Sequence, residues 1–239
     1  ARRALTALEA AASLAEPEAD GAAGTITAEH VAQAVDRALL RYDRQGDEHY
    51  DVISAFIKSI RGSDPDAALH YLARMIEAGE DPRFIARRLI ISAAEDIGLA
   101  DPQAAVQALA AWETYERLGS PEGELALAQA VIYLGISPKS NAAYKALGAA
   151  TRTARETGSH MPPKHILNAP TKLMSELGYG DGYVYDHEAE EAFSGQDYFP
   201  EEMRREALYM PVNRGFEREI RKRLEYWSEL RQKRARDDG

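Results

Sequence analysis

Cysteine is absent from the 239 residues, which excludes disulfides, thiolate metal sites and cysteine nucleophiles and fits a reducing compartment. No apolar run reaches the roughly 18 residues that a membrane-spanning helix needs, and the chain has no signal-type start, so neither a membrane span nor export is expected. Missing too is Gly-x-x-x-x-Gly-Lys-Ser/Thr, the loop whose backbone N–H groups cradle phosphates in many ATPases; these residues are not expected to hydrolyse ATP by themselves. There is no His-Glu-x-x-His. His160, His165 and His187, with Asp186, are separated by proline-rich intervals that give no helical face on which to align them, so surface histidines and no metal are expected. Basic charge is short: 29 Lys and Arg against 39 Asp and Glu give a net charge of -10, which opposes polyanion binding over the whole surface. The chain opens at Ala1 rather than at a methionine, and it reads as a fragment.

What the chain has is apolar substance and clear punctuation. With 45% hydrophobic residues it has the means to bury the core of one large domain or two small ones. Between Gly46 and Gly158, Asp64-Pro65, Asp81-Pro82, Asp101-Pro102, Ser120-Pro121 and Ser137-Pro138 each put a capping side chain directly before a proline. The side-chain oxygen accepts an orphan N–H of a first helical turn, and proline there sacrifices no intrahelical bond, so each pair reads as a helix start. Gly62, Gly79, Gly98 and Gly119 stand where left-handed caps would end the helices. Apolar residues step by three or four at Val52, Phe56, Ile60, at Leu69, Leu72, Ile76, and at Val106, Leu109, Trp112, one buried stripe per helix. The segments share caps rather than a repeating consensus, which favours a compact all-α assembly over a solenoid.

Residues 1–45 read as another unit: a helix with Leu5 and Leu8, a connection from Glu16 to Gly24, and a second helix capped by Thr27 and carrying Val31, Val35 and Leu39. Two such helices bury too little to fold alone. Residues 46–160 form the capped helical array. Residues 161–239 form a third segment, with a short helix from Thr171 to Leu177 and an irregular or short extended stretch near 178–200. Eight acids and no lysine or arginine lie between Asp181 and Glu202, a surface that repels phosphate. The last helix carries Phe216, Ile220, Leu224, Trp227 and Leu230 on one face, with the charge pairs Glu217/Arg221, Glu219/Arg223 and Glu229/Lys233. Its eleven basic and nine acidic residues from 201 onward read as a solvated face before a DNA contact.

Three blocks carry a resemblance. Tyr42 to Pro102, "SPKSNAAYKALGAA" from Ser137, and "NAPTKLMSELGYGDGYVYDH" from Asn168 resemble, in order, the region after the ATPase core of the bacterial replication-associated recombination protein A family, also called maintenance of genome stability protein A. The resemblance covers essentially the whole chain. It implies the end of an AAA+ lid followed by an oligomerisation domain like a clamp-loader collar, part of a DNA-stimulated ATPase that uses ATP and magnesium. It further implies a cytoplasmic, nucleoid-associated homotetramer acting at stalled or damaged replication forks, in DNA replication, repair and recombination, with single-stranded DNA-binding protein as a partner. The opening "ARRALTALE" resembles the end of the family's sensor 2 element, which makes Arg2 the candidate nucleotide-binding residue: a guanidinium pairs with phosphate oxygens in two places. The resemblance implies basic residues where this chain has Asp181 and Val184, and an arginine near Leu167, and the chain departs from the pattern there.

Tyr179, Tyr183 and Tyr185 stand among glycines. Stacking on unpaired bases would require basic companions, and the companions here are acids, so an interface or packing role is expected. Glu95-Asp96 reads as exposed charge or an ion pair to Arg87 or Arg88, since neighbours on a helix point in different directions. Lys139, at the helix start read from Ser137-Pro138, is a weak anion candidate. The rival reading is a non-enzymatic helical adaptor that binds partner proteins in its grooves; a metal-dependent hydrolase is the third.

Overall fold

The computed structural model describes residues 11–12, 25–34 and 47–237. The stripes of Leu5 and Leu8 and of Val35 and Leu39, together with Arg2, fall outside the described residues. The helix at 28–34 begins as expected at Thr27, whose Oγ1 accepts the His30 N–H at 3.3 Å. From there the described chain is helical and irregular, with no strand. The helices are α1 (Asp47–Arg61), α2 (Pro65–Glu77), α3 (Pro82–Ser92), α4 (Gln103–Leu118), α5 (Glu122–Ile136), α6 (Ala142–Thr157), α7 (Lys172–Glu176) and α8 (Glu217–Asp237). A π-helical turn at Ala93–Ile97 and a 3₁₀ turn at Gly98–Ala100 follow α3. The stretch 178–200 holds only two 3₁₀ turns, Asp186–Glu188 and Glu190–Ala192, so its extended alternative is not taken.

Two compact units result. One comprises the described residues up to Ile97 with Gln103–Ser137, and the other Gly98–Pro102 with the chain from Pro138 onward. The core of the first is built from Phe56 and Ile60 of α1, Leu72 of α2, Leu89 of α3 and Leu127 and Leu134 of α5, all buried. Burying each such side chain is worth about 1.5–3 kcal/mol.

Asp64 and Asp81 cap as the sequence predicts, accepting the N–H groups of Ala67 and Arg83 at 2.9 Å each. Asp101-Pro102 and Ser120-Pro121 precede helices that begin one residue after the proline, and the Ser120 hydroxyl turns to the Glu124 carboxylate instead of a backbone N–H. Ser137-Pro138 is not a helix start. Ser137 closes α5, its hydroxyl bonding to the Tyr133 carbonyl at 2.8 Å, and α6 begins only at Ala142, where the Ser140 hydroxyl accepts the Ala142 N–H. Lys139 therefore lies ahead of α6 and not on its first turn.

The expected left-handed residue at Gly62 is displaced by one position. Ser63 takes φ 62°, donating to the Ile60 carbonyl while Asp64 donates to that of Ser59, the pair of bonds of a Schellman cap. Gly79 makes the same cap on α2 with φ 73°. A residue with a Cβ is disfavoured in this region by about 1–2 kcal/mol. Ser63→Gly is expected to stabilise the protein by about 0.5–1 kcal/mol after the entropy of a more flexible unfolded chain is subtracted, read as a higher denaturant midpoint at unchanged slope.

Val106 and Leu109 overturn the stripe read from α4. Both are exposed, and the buried face is Ala104, Ala108 and Ala111. Small residues let helix backbones approach. A Cβ added at Gly123 of α5 would stand 2.9 Å from the Cα of Tyr115 on α4.

Candidate functional site: an exposed apolar face and a braced C-terminal segment

Helix α5 is apolar on two opposite sides. Leu127, Ala130, Val131 and Leu134 face the core, whereas Leu125, Ile132 and Ile136, spaced by seven and four residues, form a stripe on the other side. Leu125 is 75% exposed and Ile136 68%. A helix that is hydrophobic all round is ordinarily buried all round. On neighbouring α4 the exposed Val106 and Leu109 likewise point away from the alanine face. Scattered exposed apolar residues are normal, whereas stripes at helical spacing on paired helices make this face a candidate interaction surface.

The first unit also holds a half-buried ion pair. Asp96 is 8% exposed and accepts Arg61 Nε at 2.6 Å and the Ser92 hydroxyl at 2.9 Å. The partner is thus Arg61 at the end of α1, not Arg87 or Arg88. The π-helical turn at Ala93–Ile97 shifts the register by which a regular helix would have presented this residue. The Asp96 hydrogen bond holds the Arg61 guanidinium above its ordinary pKa.

In the second unit the glycine-tyrosine stretch is a chain of tight reversals. Gly178, Gly180 and Gly182 have φ between 76° and 80°, a conformation open to glycine. The Gly180 N–H donates to the Lys164 carbonyl at 2.8 Å, and the Gln196 side chain bridges the turn, donating to the Gly182 carbonyl and accepting from the Val184 N–H. The structure does not bring the three tyrosines to one point. Tyr179 is half-buried, Tyr185 lies against His187 with ring centroids 5.2 Å apart, and Tyr183 lines a cavity with His165 and Tyr198. Asp186 Oδ1 accepts both the N–H and the hydroxyl of Ser194 at 2.8 Å, and Oδ2 accepts the Tyr198 hydroxyl at 2.9 Å. These donors, led by the Ser194 backbone, hold the Asp186 carboxyl below the usual carboxylate range.

A charge pair expected on α8 is instead a lock. Glu217 is fully buried, its Oε2 accepting the Ser140 hydroxyl at 2.8 Å and the Val212 N–H at 2.7 Å, and its Oε1 the Tyr209 hydroxyl at 3.0 Å. Arg221, its expected partner, donates to the Pro211 carbonyl at 2.7 Å. Glu219 pairs with Lys222 at 2.9 Å and not with Arg223, whose guanidinium lies 5.7 Å over Phe216. Of the apolar stripe of α8, Trp227 is met by the irregular stretch, with Phe193 at 4.9 Å, whereas Phe216 and Leu224 stay exposed.

Comparison with known proteins agrees with this architecture. The family described as "MgsA AAA+ ATPase C terminal" matches residues 62–228, and the one described as "AAA C-terminal domain" matches residues 1–61. The replication-associated recombination protein A of Coxiella burnetii is 52% identical over 193 residues, 80% of this chain and 44% of that protein. That of Escherichia coli K12 is 46% identical over 230 residues, 96% of this chain and 51% of its own length. The Dictyostelium discoideum ATPase WRNIP1 is 39% identical over 190 residues, 77% of this chain and 21% of that protein. The chain spans about half the length of the bacterial relatives it matches. The capped all-α architecture and matches over nearly every residue converge: the chain belongs to the MgsA C-terminal family, the helical C-terminal part of AAA+ ATPases of the replication-associated recombination kind.

Proposed function

We propose that this chain is the assembly module of a clamp-loader-like, DNA-dependent AAA+ ATPase that maintains replication forks, and that it holds the ATPase modules of a homotetramer together. The observation that carries the reading is the second apolar side of α5, Leu125, Ile132 and Ile136. Covering these three side chains, given their exposure, gains roughly 4 kcal/mol per copy. Two copies meeting there recover roughly 8 kcal/mol, within the about 4–15 kcal/mol that association costs. Burial of the Val106 and Leu109 stripe as well tips the balance toward a stable assembly.

In this reading residues 1–45 end the lid, residues 46–160 carry the oligomerisation surface and residues 161–239 are the segment particular to the family. Arg2 reaches the terminal phosphates of the nucleotide. Tyr179, Tyr183 and Tyr185 serve as interface elements. ATP and magnesium are held by the parent protein: these residues include no phosphate-cradling loop, so no step of hydrolysis is assigned to them. DNA and single-stranded DNA-binding protein are the parent's partners, and the compartment is the bacterial cytoplasm at the nucleoid. No helix among the described residues is long and apolar enough to cross a membrane.

Light scattering of this chain over a wide concentration range tests the reading. A mass approaching four chains is expected, falling to one chain in the Leu125→Glu/Ile132→Glu variant while circular dichroism keeps its helical amplitude. A wild-type mass of one chain at every concentration would overturn the assembly role and favour the helical adaptor.

A further inference from the structure

The second unit contains an open cavity of about 720 Å³ beneath the glycine-tyrosine reversals. Its lining includes His165, Asn168, Tyr183, Asp186 and Tyr198. His165 and Tyr198 lie with centroids 6.3 Å apart and planes tilted by 35°. Tyr183 and Tyr198 are both nearly half exposed, so ring area remains available. Asp186 Oδ1 is saturated by Ser194, whereas Oδ2 takes only the Tyr198 hydroxyl and keeps room for another donor. Of the eight acids between Asp181 and Glu202, Asp186 lines the cavity and places a carboxylate in its wall.

The same stretch already shows what such surroundings receive. The Arg231 guanidinium lies 5.3 Å over the Phe193 ring, and Arg234 donates to the Glu190 carbonyl at 2.7 Å. Arg205 lies 5.5 Å over Phe199 while pairing with Asp197 at 2.8 Å. Arg205 thus uses an aromatic face and a carboxylate together, and at Phe193 the two contacts are shared between Arg231 and Arg234. The cavity offers the same combination with aromatic walls on several sides, and no lysine or arginine of the described residues lines it.

We propose that this cavity receives an arginine side chain from a partner protein, its guanidinium stacked on Tyr183 and Tyr198 and paired with Asp186. A planar cation fits both demands, since it stacks on aromatic faces and donates in a fixed fork to a carboxylate. A nucleic-acid strand meets the opposite condition, because its phosphates would face the Asp186 carboxylate with no lysine or arginine in the lining to neutralise them. Here Tyr183 serves as an interface element towards a partner protein rather than towards another copy of the chain, and the outcome is read on amides of the second unit, apart from the α5 face that the assembly test probes.

The test is a titration of the isotope-labelled chain, followed by amide resonances, with short blocked glycine-flanked peptides whose central residue is arginine, lysine or glutamine. Saturable shifts centred on Gly180, Tyr183, Asp186 and Tyr198 are expected with the arginine peptide, and none with glutamine. Tyr183→Ala, which removes a half-exposed ring, should weaken the arginine peptide roughly threefold to fivefold. Asp186→Asn should weaken it further. An equal response to lysine would show charge attraction without guanidinium recognition and overturn the proposal, as would shifts spread evenly over the acidic surface. Saturable shifts at the same amides from a single-stranded oligonucleotide, with none from the arginine peptide, would overturn it in favour of a base.

Discussion

Gly215→Ala is expected to destabilise the second unit by about 3–5 kcal/mol, a large fraction of the about 5–15 kcal/mol by which domains are stable. A Cβ at this position would lie 2.0 Å from the Ala100 carbonyl oxygen and 2.7 Å from Pro138 Cγ. Neither neighbour is the free end of a flexible side chain, so the backbone itself must move. With it goes the bond from the Phe216 N–H to the Ala100 carbonyl, 2.8 Å long, which ties the start of α8 to the 3₁₀ turn. Gly215 also has φ 52°, adding the left-handed penalty of about 1–2 kcal/mol. Gly119→Ala separates the two causes. Gly119 has φ 69°, but a Cβ there would meet nothing within 4 Å beyond its chain neighbours, so it should lose only the conformational part. Denaturant unfolding of both variants, with hydrogen exchange at the Phe216 amide, reads the difference. Equal losses in the two variants would refute the steric account.

Glu217→Ala is expected to cost about 3 kcal/mol, because it leaves a cavity and strips acceptors from Ser140, Tyr209 and Val212 together. Glu217→Gln should cost roughly 1 kcal/mol. Its carbonyl oxygen can serve Ser140 and Val212, and its amide can donate to the Tyr209 hydroxyl, which turns to accept. The lock also carries a signature at high pH. Burial, then the hydrogen bond to Glu217, push the Tyr209 phenol up to about 12 from the ordinary 10. The neutral phenol is the form that the folded state favours, so its contribution is complete below pH 10 and is lost as pH rises from 10 towards 12. Stability measured across that window should fall more steeply in the natural protein than in Tyr209→Phe. Parallel curves would remove Tyr209 from the lock.

What was legible in the sequence was what local chemistry decides. Asp64 and Asp81 act on N–H groups two or three residues away, so dipeptides sufficed to locate α2 and α3, and Thr171 likewise announced α7 by accepting the Met174 N–H. Ser137-Pro138 failed because serine beside proline serves equally to close one helix, and Ser140 supplied the real cap. The α4 stripe failed for a reason of size: periodicity weights Val106 and Leu109, whereas close helix packing selected Ala104, Ala108 and Ala111. Those outward-facing residues are the same kind of signal that marks the second side of α5, and the high apolar content of α5 on every face could have disclosed it. Glu217 and Asp96 were unreadable. Their partners Ser140 and Arg61 lie 77 and 35 residues away, and each acid sits where the local pattern offers a nearer arginine.

The corner between α1 and α2 has a bearing on how such chains vary. Asp64 supplies the N–H that completes the Schellman cap of α1 to Ser59 and, with its side chain, the acceptor that opens α2 at Ala67. One residue belongs to both helix ends, with Ser63 already bent into the left-handed region to make this fit. Inserting or deleting a residue there would undo both caps and rotate Leu72 and Met75 off the core by about 100°. The corner is a ruler: it fixes the length of chain between the two helices as firmly as it fixes their ends.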